Sequence, residues 1–247
     1  MYIHSAKYSS LLYSNKQEVE KQLLCINNLL ASNKTNVLEV GAGSGSLSIA
    51  LAKLKFHVTA LEESPVFFAI MMDRFAQERE LRAFLTPLPL RLQHFNTNEK
   101  YDAVIASKVV SSMPQFEWGT FLESAYKFLS EGGFLVFDCS LKSKNRLPQE
   151  MQEIQKKVFG YNMIQHIASS SILESKDAQE VNFKFITKRR NRILAEEEEK
   201  HLVYFGNLED IENILRKIGF SRVLTFSNWD LQTISDSSHS ALFVAYV

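Results

Sequence analysis

Val37-Leu38-Glu39-Val40-Gly41-Ala42-Gly43-Ser44-Gly45 is followed at once by Ser46-Leu47-Ser48-Ile49-Ala50-Leu51-Ala52. A short apolar run, three alternating glycines and a second apolar run read as a buried strand over 36–40, a tight turn, and a helix over 47–54. In an open α/β sheet, ligands bind at the carboxyl ends of the strands, and the loop after the first strand lies there. Glycines lack a Cβ, so such a loop turns sharply and comes close to a ligand, while the following helix offers unpaired N–H groups.

Working outward, apolar residues at helical spacing over 15–31 predict an amphipathic helix before the first strand. Residues 56–61 predict a second strand, ending at Glu62 and Glu63. Ser64-Pro65 then fits an N-cap and first helical position, opening a helix over 67–75. A third strand is expected over 88–93, a fourth over 101–106, a helix over 121–129 and, after Glu131-Gly132-Gly133, a fifth strand over 134–138. Strands alternating with helices at this spacing imply parallel crossover units. The expected fold is therefore α/β: a doubly wound, mostly parallel seven-stranded sheet with an antiparallel last strand, helices on both faces, and a small cap. From residue 142 the rhythm changes. A helix near 149–159 and a polar strand-like stretch near 181–193 are read as the cap, after which a helix over 208–218, stopped by Gly219, and two strands over 222–227 and 240–247 close the sheet. Four segments follow: an N-terminal helical lid (1–34), the half carrying the glycine loop (35–141), a cap insertion (142–200) and a C-terminal helix and strand pair (201–247).

Lys plus Arg number 28 and Asp plus Glu number 28, so no global positive field draws in nucleic acid or anionic membrane. Lys188, Arg189, Arg190 and Arg192 precede four consecutive glutamates, Glu196 to Glu199, which predicts a solvated hairpin surface. Cys25 and Cys139 have no metal or redox spacing and read as buried thiols, and no His, Asp or Glu cluster has metal-ligand spacing. No secretory signal or membrane-length apolar run is present, so the expected location is the cytoplasm.

The glycine pattern also invites a dinucleotide reading, but there the third glycine would fall at position 46, which is Ser46. Glu39 would in addition set a negative charge beside a pyrophosphate, whereas it suits a cationic ligand. The segment Glu39-Val40-Gly41-Ala42-Gly43-Ser44-Gly45 resembles the acidic-x-Gly-x-Gly-x-Gly motif of class I S-adenosylmethionine-dependent methyltransferases, small-molecule type with a cap insertion. The likeness extends to Glu62 after the second strand, to the 101–107 strand, to the 131–136 turn and to the final strand pair. It implies S-adenosyl-L-methionine as cofactor, with the backbone of Gly41, Ala42, Gly43 and Gly45 along its methionine portion and Glu39 at its ammonium. Glu62 would accept from both ribose hydroxyls, since a carboxylate has two acceptor oxygens and a vicinal diol two donors. Glu63 is a neighbouring contact or a solvated first-turn acid. After the third strand, where many members carry an acid, stands Gln93-His94-Phe95-Asn96; His94 and Phe95 are candidates for adenine contact, against a plain loop. Ser107 is expected to line the cofactor. Ser111 and Ser112 stand where many relatives have histidines, so a general base of that type is missing.

Methyl transfer needs in-line placement of the acceptor above all. The expected acceptor is a small molecule with a nitrogen or oxygen nucleophile, and the alternatives are an RNA or protein acceptor or a non-catalytic module. Tyr13 and His166 are the candidate catalytic side chains, with Tyr8 and Tyr161 beside them. Each has a packing alternative, and His57, inside the second strand, is read as structural.

Overall fold

The computed structural model describes residues 3–12, 16–30, 35–142, 147–190, 192–235 and 237–247. Tyr13 lies outside them. The described residues build one seven-stranded sheet and one four-stranded sheet. The first comprises β1 (Asn36–Val40), β2 (His57–Leu61), β3 (Leu85–Leu88), β4 (Tyr101–Ala106), β5 (Leu129–Ser140), β10 (Arg222–Phe226) and β11 (Ser240–Tyr246), in the order β10-β11-β5-β4-β1-β2-β3. The strands from β5 to β3 pair in parallel, and β11 runs antiparallel to both of its neighbours.

Both faces of this sheet are covered, which is why its strands read as unbroken apolar runs. Side chains alternate across it with period two. Leu38, Val40, Val104, Ala106, Leu135 and Phe137 pack toward α5 (Gln115–Phe128) and α6 (Leu208–Ile218). Val37, Ala103, Ile105, Phe134 and Val136 pack toward α2 (Lys16–Leu29), α3 (Ser46–Lys53) and α4 (Pro65–Ala76). Ser64 caps α4, accepting from the Phe67 N–H at 3.5 Å, with Pro65 as the first helical residue. Gly219 ends α6 at φ 119°.

Two expectations are corrected. The third strand lies at Leu85–Leu88, ahead of the expected 88–93, and Leu92–His94 is a 3-10 turn. Pro87 is tolerated inside β3 because β3 is an edge strand, with one side free of ladder bonds. The expected helix at 149–159 is strand β6 (Gln149–Phe159). It joins β7 (Asn162–Leu173), β8 (Ala178–Arg189) and β9 (Arg192–Tyr204) in an antiparallel sheet of order β6-β7-β8-β9. Met151, Ile154 and Val158 sit at helix-like spacing, yet every residue of β6 is exposed, so no burial on a single face enforces that period.

Tyr8 of α1 (His4–Leu12) lies on the inner face of this second sheet, stacked on Phe185 at 4.8 Å. The four glutamates of β9 divide by strand alternation. Glu196 and Glu198 pair with Lys184 at 3.0 and 3.3 Å on one face. Glu197 and Glu199 turn to α1 on the other: Glu197 accepts from Lys7 at 2.9 Å and from the Tyr8 hydroxyl, and Glu199 accepts the N–H of Ser5 at 2.8 Å. The acid thus caps the exposed N–H groups at the start of α1 from across the fold.

Candidate active site

The chain leaves β1 into β2 on one side of it, and β4 pairs on the other. The gap between β1 and β4 is the point where strand order reverses and where a ligand crevice is expected. A cleft of about 690 Å³ opens there, lined by Glu39, Gly41, Ala42, Gly43, Glu62, Glu63 and Ser107, and also by residues the sequence reading did not single out, among them Glu18, Gln22, Phe67, Arg91 and Lys108.

The glycine loop is left-handed at all three glycines, with φ of 69°, 56° and 73°. A Cβ on Gly41 would lie 2.6 Å from Val109 Cγ2, and one on Gly45 2.5 Å from Met71 Cγ, so these two positions are closed from behind by the protein. Gly43 faces open space instead, with no atom within 4 Å of where its Cβ would be. That open position lies on the cleft wall. Gly45 shapes the loop without being part of the lining. Arg74, from α4, pins the loop by donating to the Ser44 carbonyl at 2.9 Å and to Ser46 Oγ at 2.7 Å.

Two carboxylates face this loop. Glu39 is buried within β1 and accepts from the Ser48 hydroxyl of α3; burial pushes its carboxyl up to about 7, the Ser48 bond opposes this and the Glu62 charge adds to it. Glu62 accepts from the Gly43 N–H through Oε2 and from the Ser64 N–H through Oε1, each at 2.7 Å. Burial raises its carboxyl above the ordinary range, and those two N–H groups partly offset the rise. Each oxygen of Glu62 keeps acceptor capacity, so the pair of oxygens can still receive two hydroxyls. Two buried acids raised by desolvation, beside an open glycine, fit a ligand that carries positive charge and a diol. S-adenosylmethionine is such a ligand.

The roof of the cleft is a polar bridge. Gln22 of α2 donates to Ser107 Oγ at 2.9 Å, and Lys108 Nζ meets Glu18 at 2.7 Å. Behind them Asp138, at the end of β5, accepts from the Lys108 N–H and from Ser107 Oγ at 3.4 Å.

Most of the other candidates lie outside the cleft. His94 is exposed on the 3-10 turn, and Phe95 packs on Phe128 at 5.2 Å and near Tyr101 at 6.5 Å; neither is in the cleft lining. Glu63 lines the cleft edge and pairs with Arg91. His166 is buried in the second sheet between Phe185, stacked at 4.7 Å, and Phe183, edge-on at 4.8 Å, and burial lowers its pKa. Tyr161 is exposed at the β6–β7 turn. Both thiols are buried, and desolvation pushes Cys25 up to about 11 and Cys139 up to about 12. Among the described residues, no three His, Cys, Asp or Glu side chains gather as a metal ion would require, and no helix is long and apolar enough to cross a membrane.

Comparison with known proteins agrees with this geometry. Residues 38–135 match the family model described as a methyltransferase domain. A segment of 38 residues is 53% identical to a probable ribosomal RNA small subunit methyltransferase A of Methanothermobacter thermautotrophicus; the chain spans about 14% of the length of that curated relative. Among solved structures, the CcbJ methyltransferase from Streptomyces caelestis superposes with a TM-score of 0.80 at 16% identity, over 98% of this chain and 95% of that one. CalS10 of Micromonospora echinaspora, an amino pentose methyltransferase involved in calicheamicin biosynthesis, whose structure has S-adenosylmethionine bound, gives 0.74 at 16% identity over 98% and 95%. Residues 38–135 thus match a methyltransferase domain, and the chain as a whole shares its fold with these methyltransferase structures.

Proposed function

We propose that this protein binds S-adenosylmethionine in the β1–β4 cleft and transfers its methyl group to a small polar molecule, with an amine as the accepting group. The observation that carries the reading is the trio of Glu39, Gly43 and Glu62 on one cleft wall: a buried acid, an open backbone and a second acid whose two oxygens are held in place by N–H donors. Glu62 would hold the ribose hydroxyls and Glu39 the ammonium end, directly or through water. Bound S-adenosylmethionine supplies an electrophilic methyl, and the residues of the chain have then to orient an acceptor in line with it and keep water out.

Support for a small acceptor comes from β9, which packs on the 3-10 turn at Val110–Ser112, and from α1, which packs on α4, the turn and α4 each giving a residue to the cleft wall, and from likeness to an enzyme described as acting on an amino pentose. None of Lys188, Arg189, Arg190 or Arg192 lines the cleft, which weighs against an RNA groove there. Calorimetric titration with S-adenosylmethionine tests the reading. Glu62→Ala removes two charge-assisted hydrogen bonds of about 1.5–3 kcal/mol each, so binding should weaken by roughly 10²-fold or more. Failure of the unaltered protein to bind S-adenosylmethionine would sink the proposal.

A further inference from the structure

A second cavity of about 450 Å³ adjoins the cleft. The two share Glu18, Lys108 and Ser112 as a common wall, so a molecule in one lies against whatever fills the other. The second cavity sits at the carboxyl end of β5 and is closed by Leu202 and Val203 of β9.

Its lining combines three chemistries. Five serines (111, 112, 140, 227 and 240) and Asn228 line it; Ser111, Ser112, Ser227 and Ser240 donate their O–H to Cys139 Sγ and to the carbonyls of Val109, Gln232 and Ser227, so toward a ligand they present chiefly acceptor lone pairs, which suit the donating hydroxyls of a polyol. Trp229 presents an indole, an apolar plate with a polar edge of the kind that packs on the C–H face of a ring. Asp138 supplies a carboxylate. Its Oδ1 is occupied by the Lys108 N–H, Oδ2 receives one long bond, 3.4 Å from Ser107 Oγ, and the Trp229 side chain is a further hydrogen-bond partner of the carboxyl, whose two oxygens together still have acceptor capacity for one more donor. Hydroxyl groups, an aromatic plate and one carboxylate together match a hydroxylated ring that carries an ammonium.

We propose that this second cavity is the acceptor site, that it takes an amino sugar, and that Asp138 anchors the amine and receives its proton. The inference rests on the cofactor reading of the adjoining cleft. In the step, an N–H bond of the bound ammonium breaks and its proton goes to Asp138 Oδ2. The lone pair left on nitrogen forms the new N–C bond as the C–S bond of the methyl donor breaks, leaving a thioether and a methylated ammonium. Asp138 thereby supplies the proton acceptor that Ser111 and Ser112, which lie in the same cavity, cannot. The groups around the Asp138 carboxyl are Lys108 and Trp229, which hold it down, and Glu18 and the surrounding protein, which push it up; the balance, dominated by desolvation, is above the ordinary aspartate range. Cys139 beside it stays a neutral thiol.

Trp229 also provides the readout. The chain has two tryptophans, and Trp118 is buried in the core between α5 and the sheet, outside this cavity. With S-adenosylhomocysteine at saturation, tryptophan fluorescence is titrated with methyl 3-amino-3-deoxyglucoside and with methyl glucoside, for the unaltered protein and for Asp138→Asn. The amino sugar is expected to bind at least about tenfold more tightly than the hydroxy sugar, and Asp138→Asn to bring the two together. In the unaltered protein the preference should fade on acidification, at higher pH than an ordinary aspartate would set, and this series stands even where the variant does not fold. No preference for the amine, or a preference that survives Asp138→Asn, overturns the assignment. Calorimetry with S-adenosylhomocysteine separates the two levels. Binding there without an amine preference refutes the acceptor site alone, and no binding by the unaltered protein refutes the cofactor reading and the acceptor site with it.

Discussion

Replacing Glu39 by Gln should stabilise the ligand-free protein, and the gain should depend on pH. The Glu39 carboxyl has a folded-state pKa of about 7 against an ordinary value of 4.5. Its folded form therefore holds a proton that its unfolded form releases, and the stability this contributes is complete below about 4.5 and lost as pH rises through about 7. Between pH 5 and pH 8 the cost of ionising this side chain in the fold grows by roughly 2–3 kcal/mol, from 1.36 kcal/mol per pKa unit. Glutamine has the same shape, carries no charge and can still accept from Ser48 Oγ. Urea unfolding of both proteins at pH 5 and pH 8 measures the difference directly, since other titrating groups cancel between them. Glu39→Gln should gain roughly 2–3 kcal/mol more over the unaltered protein at pH 8 than at pH 5. A difference that is the same at both pH values would refute the claim that desolvation of this carboxylate is what the cleft stores. The same substitution should weaken S-adenosylmethionine binding, because the acid that costs stability without ligand is the one proposed to meet the ligand's positive end.

The glycines of the loop should separate by role. Gly45→Ala forces a Cβ to 2.5 Å from Met71 and should cost stability by about 1–3 kcal/mol in urea unfolding, whereas Gly43→Ala meets no atom and should fold with a loss of about 1 kcal/mol from its left-handed backbone while losing most cofactor affinity. Glu199→Ala should release the start of α1, seen as faster amide exchange at Ile3, His4 and Ser5, whose N–H groups the carboxylate accepts. His166→Phe keeps the aromatic stack with Phe185, and methyl transfer should stay within about threefold; removal of a working general base would cost about 10²-fold or more in the same assay.

How far the sequence is legible follows from how locally each feature is determined. The glycine loop, Ser64-Pro65 and Gly219 are read from single residues, because a left-handed turn, a helix cap and a helix stop each depend on a few adjacent atoms, and all three lie where the spacing predicts them. Glu62 belongs with them, its place being set by the end of β2. The misread elements share one cause, which is that their structure depends on what lies beside them. Pro87 argues against a strand until β3 is known to be an edge, and β6 exposes all its side chains, so it carries no burial pattern and its spacing mimics a helix. The same holds within the site. Asp138 reads as the polar end of an apolar strand, and nothing near it in sequence signals a role; Lys108 and Ser107 reach it from 30 and 31 residues away, and Trp229 from the loop after β10. A cofactor cradle built from one loop and one strand end can be read in a line of residues. A cavity assembled from β5, the loop after β4, the start of β11 and the cap strand β9 exists only once the chain has closed, and it is there that the acceptor has to be recognised.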